Sequence, residues 1–110
     1  MDFSKAPPEL VDRFGACLPE DPAVKRRPMF GWPSATVGGH MFASLFRDAV
    51  VVRLPPDAVP GGLPFQPMPG RTMTGYVVLP QDAAIDTVAL RGWLDLAFRA
   101  AAELPPKTNG

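Results

Sequence analysis

Residues 28–54, PMFGWPSATVGGHMFASLFRDAVVVRL, decide the fold, because they predict a three-stranded antiparallel meander. Gly38-Gly39 predicts the first turn, a two-residue type I′ turn in which both central residues need a positive φ. Arg47-Asp48 or Asp48-Ala49 predicts the second turn. Either choice leaves the same side chains on each face of the sheet, whereas a three-residue turn would exchange the two faces.

Both faces of the predicted meander are apolar. In this register Val37 lies opposite His40 and Ala35 lies opposite Phe42. The first face carries Phe30, Trp32, Met41, Ala43, Leu45, Val50, Val52 and Leu54. The second face carries Ala35, Val37, Phe42, Phe46 and Val51, together with Ser44 and Arg53. Since the helices of the chain can cover only one face, we predict that the other is either covered by a partner or left partly exposed, with Phe42, Phe46 and Val51 as candidate interface residues.

Two helices are predicted on either side of these strands. Pro8 suits the first turn of a helix that runs to about Cys17. Asp86 suits the N-cap of a longer C-terminal helix. The apolar residues of that helix recur at helical spacing and predict a wide stripe that faces the core: Leu90, Trp93, Leu94, Ala97, Phe98 and Ala101. Its solvent side is predicted to carry Arg91, Asp95 and Arg99, which are spaced by four residues as ion-pair partners.

A second hairpin is predicted between the meander and the C-terminal helix. Residues 65–68 and 72–79 are its two strands, and Pro69-Gly70 is its turn. The sequence therefore predicts an α+β fold of two layers. An antiparallel sheet, made of the three-stranded meander and the second hairpin, packs against an N-terminal helix and a long C-terminal helix.

The composition indicates one cytoplasmic globular domain. The 110 residues are too few for two separate cores, so residues 1–110 are predicted as a single domain. Eleven basic and eleven acidic residues give a net charge of zero, which provides no overall attraction to nucleic acid or to an anionic membrane. The single cysteine excludes an internal disulfide bond. The first ten residues, MDFSKAPPEL, lack a secretion signal, and no apolar run approaches the length of a membrane span.

The residues that usually carry catalysis are scarce in this chain. His40 follows a tight turn, and Cys17 lies on the apolar stripe of the first predicted helix, far from any other metal ligand. Glu20-Asp21 is a carboxylate pair in a proline-flanked loop, where solvation is the usual state. We therefore expect no catalytic residues, no metal site and no cofactor, and we predict that the protein is not an enzyme.

Lys25-Arg26-Arg27 is the only concentrated charge in the sequence. Basic residues at the start of a strand commonly protect a sheet edge from unwanted pairing. Together with Arg47 and Arg53 they are also candidate contacts to nucleic-acid phosphates. Nucleic-acid binding is retained as an alternative function, because a local basic patch is compatible with zero net charge.

Several short motifs follow one another in the order seen in a known family. They are Met29-Phe30-Gly31, Met41-Phe42-Ala43, Pro64-Phe65, the string MTGYVVLP at residues 73–80, and Leu90-Arg91-Gly92-Trp93. In this order they resemble the TfoX N-terminal domain family, named for a regulator of bacterial competence that is also called Sxy. The resemblance covers residues of about 27–101, and the chain resembles a stand-alone member without the second, helical domain. It implies a two-layer α+β fold and no known catalytic residues.

Three functions remain open from the sequence. The leading hypothesis is a non-enzymatic regulatory or protein-interaction domain that forms a homodimer through the second sheet face or an edge strand. The first alternative is a nucleic-acid-binding accessory protein. The second is a small-ligand-binding protein whose pocket lies between the sheet and the C-terminal helix, lined by Trp32, Tyr76 and Trp93.

Overall fold

The computed structural model of the chain describes residues 7–29, 32–66 and 70–105. Within these residues the helices are α1 (Pro8–Cys17), α2 (Gln81–Ile85) and α3 (Thr87–Ala102), and a 3-10 turn spans Pro56–Ala58. The strands are β1 (Lys25–Met29), β2 (Trp32–Val37), β3 (His40–Phe46), β4 (Ala49–Val52), β5 (Leu63–Pro64) and β6 (Val77–Val78). All of their pairings are antiparallel, in the order β1-β2-β3-β4-β6-β5. The α+β fold with a long C-terminal helix on the sheet is confirmed.

The meander contains four strands, one more than predicted. Met29 pairs with Trp32 in an antiparallel register, and residues 30–31 lie outside the described residues. The single strand predicted from residue 28 to residue 37 is therefore two strands, and the basic run belongs to β1, the edge strand of the sheet. The placement predicted for Phe30 also lies outside the described residues.

The two predicted turns of the meander are present. Gly38 and Gly39 have φ angles of 59° and 83°, and Val37 pairs with His40. The second turn is Arg47-Asp48, in which Arg47 has a φ of 59°. Both turns reverse the chain in the left-handed region of φ, as tight hairpins require.

A β-bulge between Ala35 and Thr36 changes the predicted register of β2 and β3. Thr36 pairs with Met41, but Ala35 pairs with Ala43, so Phe42 is an extra residue on β3. The prediction that Ala35 lies opposite Phe42 is wrong for this reason. An extra residue interrupts the alternation of side chains, so every residue of β2 before the bulge is shifted by one position relative to β3.

The bulge corrects the predicted faces of two aromatic residues. Phe42 is completely buried, and its ring meets the ring of Phe98 on α3 at 5.5 Å in an edge-to-face contact, so it faces the helices. Trp32 was predicted to share a face with Leu45, but its ring lies 4.8 Å from that of Phe46. Phe46 follows Leu45 directly, and so points to the opposite side of the strand.

The helices cover one face of the sheet. Their buried residues include Leu10, Phe14 and Cys17 of α1 and Leu90, Leu94, Ala97 and Ala101 of α3. These residues form one apolar cluster with the alternate strand residues Leu45, Val50 and Val52. The N-cap predicted for α3 is confirmed, since the Asp86 carboxylate accepts hydrogen bonds from the backbone N–H groups of Val88 and Ala89. This apolar core between the helices and the sheet is the one that the spacing of apolar residues in the helices predicted.

The second hairpin is shorter than predicted, and its first strand is β5 at Leu63–Pro64 instead of residues 65–68. Residues 67–69, which include part of the predicted turn, lie outside the described residues. Leu63 pairs with Val78 and Pro64 with Val77, which leaves most of the intervening chain outside the strands. The backbone N–H of Met73 donates to the carbonyl of Phe65 at 2.8 Å, and Gly75 has a φ of 87°. A residue at this φ cannot continue an extended strand, so the segment turns before β6 begins.

Candidate functional site

The sheet face opposite the helices, which we call the open face, is partly covered by the chain itself. Val51 is completely buried although it lies between Val50 and Val52, which point to the helices. Phe65, next to β5, is also buried, and its ring lies 5.1 Å from the ring of Phe46. The segment that follows β5 therefore covers this part of the open face. The prediction that only one face has cover from within the chain is wrong.

The predicted interface residues are thus not a shared surface in this structure. Phe42 is in the core beneath α3, and Val51 is completely buried on the open face, so neither has an exposed side chain. Phe46 is partly exposed between the rings of Trp32 and Phe65. The apolar sequence of the meander reflects two internal contacts, because each sheet face is packed against another part of the same chain.

Tyr76 is held on the open face by a hydrogen bond and a cation. Its hydroxyl donates to the carbonyl of Met41 at 3.1 Å. The guanidinium carbon of Arg53 lies 5.8 Å from the centre of the Tyr76 ring. Burial raises the pKa of the Tyr76 hydroxyl above the ordinary value of 10.0, and the nearby positive charge of Arg53 opposes part of that increase.

This arrangement predicts an alkaline titration that can be assigned to one residue. The chain has one tyrosine, so the absorbance of tyrosinate reports Tyr76 alone. We expect its midpoint in the folded protein to lie above that in urea, and Arg53→Gln to raise it further. Since the folded-state pKa is the higher one, this group stabilises the fold below the unfolded pKa, and the stabilisation is lost as the pH rises through the folded pKa. Equal midpoints in folded and unfolded protein would contradict the burial of this hydroxyl.

The five predicted phosphate contacts are divided between the two faces of the sheet. Arg26 pairs with Ala35 and donates to the carbonyl of Gly15 in α1 at 3.1 Å, so it faces the helices. Lys25 and Arg27, its neighbours in β1, are exposed and point to the other face. Arg47 and Arg53 are also on the open face, each over an aromatic ring. The structure therefore brings four of the five to one face and excludes Arg26.

The two candidate nucleophilic or metal-binding side chains are engaged by backbone carbonyls. His40 Nε2 donates to the carbonyl of Pro105 at 2.7 Å, just beyond α3. The buried thiol of Cys17 donates to the carbonyl of Thr87 at 3.7 Å. No group of three or more metal-ligating side chains occurs within residues 7–29, 32–66 and 70–105. Both contacts join distant segments of the chain and so contribute to the fold.

The aromatic residues predicted to line a ligand pocket do not come together. The rings of Trp32 and Tyr76 contact Phe46 and Arg53 on the open face, whereas Trp93 is a partly buried residue of α3. A groove of about 960 Å³ instead separates α3 from the end of α1. It is lined by residues 16–21 and by Thr87, Val88, Arg91, Gly92, Asp95, Phe98 and Arg99. Charges of both signs border this groove, and it is wide open to solvent.

An exposed apolar surface on α2 and α3 is the feature that the sequence interpretation missed. The side chains of Ile85, Val88 and Leu96 are 57 %, 82 % and 45 % exposed. Gly92 lies between Val88 and Leu96, and a Cβ placed there would meet nothing within 4 Å. We call Ile85, Val88, Gly92 and Leu96 the α3 surface. The spacing of four residues between Val88, Gly92 and Leu96 was a usable signal, because it places them on one side of the helix, away from Leu90 and Leu94.

The polar residues of α3 lie beside this surface. Arg99 and Asp95 form the predicted ion pair, with 3.0 Å between Nε and Oδ2. Both side chains are largely exposed, so the pair contributes little to stability. The solvent side of α3 therefore carries both charged and apolar side chains, whereas the sequence analysis predicts only charged residues there.

Known proteins similar to this chain provide evidence that is independent of the geometry. A comparison with curated proteins finds no significant match. Within the described part of the chain, no helix has the length and apolar character that crossing a membrane requires. A scan against protein families matches residues 17–101 to the TfoX N-terminal domain, a match that begins ten residues before the predicted start at residue 27. Since the match covers most of the 110 residues and the fold has the expected two layers, the chain belongs to the TfoX N-terminal domain family.

Proposed function

We propose that this protein is a non-enzymatic, cytoplasmic protein-interaction domain with a regulatory role, and that it forms a homodimer through the α3 surface. The observation that carries the proposal is the exposure of Val88 and Leu96 on one side of α3, with Ile85 exposed at the end of α2 just before it. Large apolar side chains that share one exposed patch commonly mark an interaction surface. The open face is a weaker candidate, because the chain itself covers Phe42 and Val51.

The spacing of the α3 surface suits a two-fold symmetric contact. Val88 and Leu96 are each four residues from Gly92, on opposite sides of it. If two copies of α3 cross in opposite directions at Gly92, Val88 of each copy meets Leu96 of the other. Such a self-complementary contact is what a closed dimer requires. The open space above Gly92 allows the two helix backbones to approach closely at the crossing.

The edge strand β1 is less suited to self-association than the α3 surface. Its exposed residues include Lys25, Arg27 and Pro28. Proline lacks the N–H that strand pairing uses, so Pro28 weakens pairing along this edge. The non-enzymatic part of the proposal is supported by the carbonyl contacts of His40 and Cys17, which use both side chains within the fold.

Gly92→Leu tests the proposal because it has opposite effects on folding and on dimerisation. In the monomer the new side chain points into open space, and replacing a helical glycine stabilises the helix by up to about 1 kcal/mol. In the dimer the same side chain separates the two helices. We expect a raised thermal stability in dilute solution, together with an association constant lowered at least about tenfold, measured by sedimentation equilibrium.

Leu96→Glu and Leu63→Glu provide a matched pair for the same measurement. Both leucines are exposed, but Leu63 is on β5, away from α3. We expect Leu96→Glu to give a monomer, and Leu63→Glu to associate like the unchanged protein. The proposal is overturned if the unchanged protein is a monomer at high micromolar concentration, or if Leu63→Glu weakens association as much as Leu96→Glu.

A further inference from the structure

The charged residues of the chain are divided between its two layers. Residues 22–80, which contain all six strands, carry six basic and two acidic side chains, a net charge of +4. Residues 7–21 and 81–105, which contain the helices, carry three basic and eight acidic side chains, a net charge of −5. The net charge of zero therefore conceals a basic sheet layer and an acidic helix layer. An anionic partner is attracted to the first and repelled by the second.

On the open face the basic residues surround partly exposed aromatic rings. Lys25 and Arg27 are exposed on the edge strand β1. Arg53 lies over the ring of Tyr76 at 5.8 Å, and Arg47 lies over the ring of Phe46 at 5.5 Å. Both rings are partly exposed. Rings and guanidinium groups are surfaces on which nucleic-acid bases stack, and lysine and arginine contact the phosphates.

We propose that the open face binds single-stranded nucleic acid, with phosphates on Lys25, Arg27 and Arg53 and bases against the Phe46–Arg47 and Tyr76–Arg53 pairs. Neighbouring strands lie about 4.8 Å apart, so β1 and the end of β4 are separated by roughly 14 Å. A sheet face accommodates splayed bases, whereas a rigid duplex offers it only phosphates. This inference does not depend on dimerisation through the α3 surface.

A single strand is favoured over the other anionic partners because rings accompany the charges. An acidic protein or an anionic bilayer surface needs the cations alone. A bilayer surface would also contact exposed apolar residues beside the basic ones. In the sheet layer these include Leu63 and Met73, which are 65 % and 36 % exposed, so the vesicle competition described below distinguishes a bilayer from a single strand. Among the described residues, the contacts of an arginine with an aromatic ring, Arg47 with Phe46 and Arg53 with Tyr76, are both on the open face.

The test is a fluorescence-anisotropy titration of a labelled oligothymidine of about 12 nucleotides with the full chain over a salt series. With three phosphate contacts, we expect the logarithm of the association constant to fall with the logarithm of the salt concentration with a slope of about −2. An unlabelled duplex of the same length and an abasic strand are expected to compete less well than unlabelled oligothymidine. Vesicles containing phosphatidylserine are expected not to compete.

Arg27→Glu and Arg91→Glu are the matched variants. Each reverses one exposed arginine and changes the net charge equally, but Arg27 is on the open face and Arg91 is on α3. We expect Arg27→Glu to lower the affinity about fivefold or more and to reduce the steepness of the salt dependence by at least about 0.7. Arg91→Glu should leave both unchanged.

Several outcomes would overturn the proposal. Equal loss of binding in the two variants would show that net charge alone governs binding. Equal competition by the abasic strand would exclude base stacking, and stronger competition by the duplex would show that single strands are not preferred. Preferential competition by the vesicles would instead indicate a membrane surface, and no binding of the oligothymidine at low salt would exclude the site altogether. Circular dichroism of each variant checks that the fold is retained, so that a loss of binding is assigned to the surface.

Discussion

Replacing Phe42 by alanine is expected to lower the free energy of unfolding by about 3–5 kcal/mol, measured by urea denaturation followed by circular dichroism. The reason is the position of its side chain, which is completely buried and meets Phe98 of α3 edge to face. Truncation would leave a cavity between the sheet and the helix that the surrounding residues cannot fill. This is a large fraction of the stability of a domain of this size.

A double-mutant cycle with Phe98→Ala separates the ring contact from the general effect of a smaller side chain. We expect a coupling free energy of about 0.5–1.5 kcal/mol between Phe42 and Phe98, the range found for aromatic pairs. If Phe42 pointed to the open face, as simple alternation along β3 predicts, its ring could not contact Phe98. The coupling free energy would then be absent, and Phe42→Ala would leave no cavity between the sheet and α3. The cycle therefore tests the β-bulge at Ala35 and Thr36 directly.

Replacing Phe65 by alanine is expected to cost about 3 kcal/mol or more, although Phe65 lies outside the helix-covered core. Its buried ring packs edge to face on Phe46, which lies on the same face as the buried Val51. Removing the ring would expose apolar surface on the open face. We therefore also expect increased binding of a hydrophobic fluorescent dye to the folded variant, measured before any denaturant is added.

Leu63→Ala is the control for Phe65→Ala, because Leu63 is in the same short segment but 65 % of its side chain is exposed. Substitutions at such surface positions usually change stability by less than about 0.5 kcal/mol. Similar losses of stability in the two variants would mean that the whole segment, rather than the Phe65 ring, stabilises the open face. A neutral Phe65→Ala would contradict the cover that the structure assigns to it.

The two proposed surfaces lie on opposite layers of the molecule. A dimer formed through α3 would place the two helix layers together and leave both open faces outward. Each copy would then present its own basic face, containing Lys25, Arg27 and Arg53. Bivalent binding to one long strand would follow, and it would make the apparent affinity rise with strand length. A monomeric Leu96→Glu variant would retain binding to a short strand and lose that dependence.

Sequence patterns were informative where the controlling interactions are local. The Gly38-Gly39 turn and the Asp86 N-cap each involve only a few consecutive residues, and both are present as predicted. The apolar stripe of α3 was equally predictable from the sequence, because a helix repeats its core-facing positions at a fixed spacing. Family motifs spread over residues 27–101 added the order of the elements, which the periodicity alone does not fix.

The sequence predicted the candidate surfaces only in part. The sequence identified Lys25, Arg27, Arg47 and Arg53 as a group, but it could not separate Arg26 from them. The helical spacing of Val88 and Leu96 indicates the side of α3 away from Leu90 and Leu94, but the extent of their exposure is known only from the structure. Whether such a residue is buried depends on where the sheet ends beneath the helix.

By itself the sequence determined α1, α3, the two tight turns of the meander and the two-layer α+β class, since each follows from the conformational preferences of neighbouring residues. Tertiary structure alone decided the short helix α2, the register of β2 against β3, the pairing of β1 with β2 and the packing of Phe65 on Phe46. The physical reason is that one inserted residue in a strand costs little locally but moves the following side chains to the other face. Which face Phe42 occupies is therefore settled by its packing against Phe98, a residue 56 positions away in the chain.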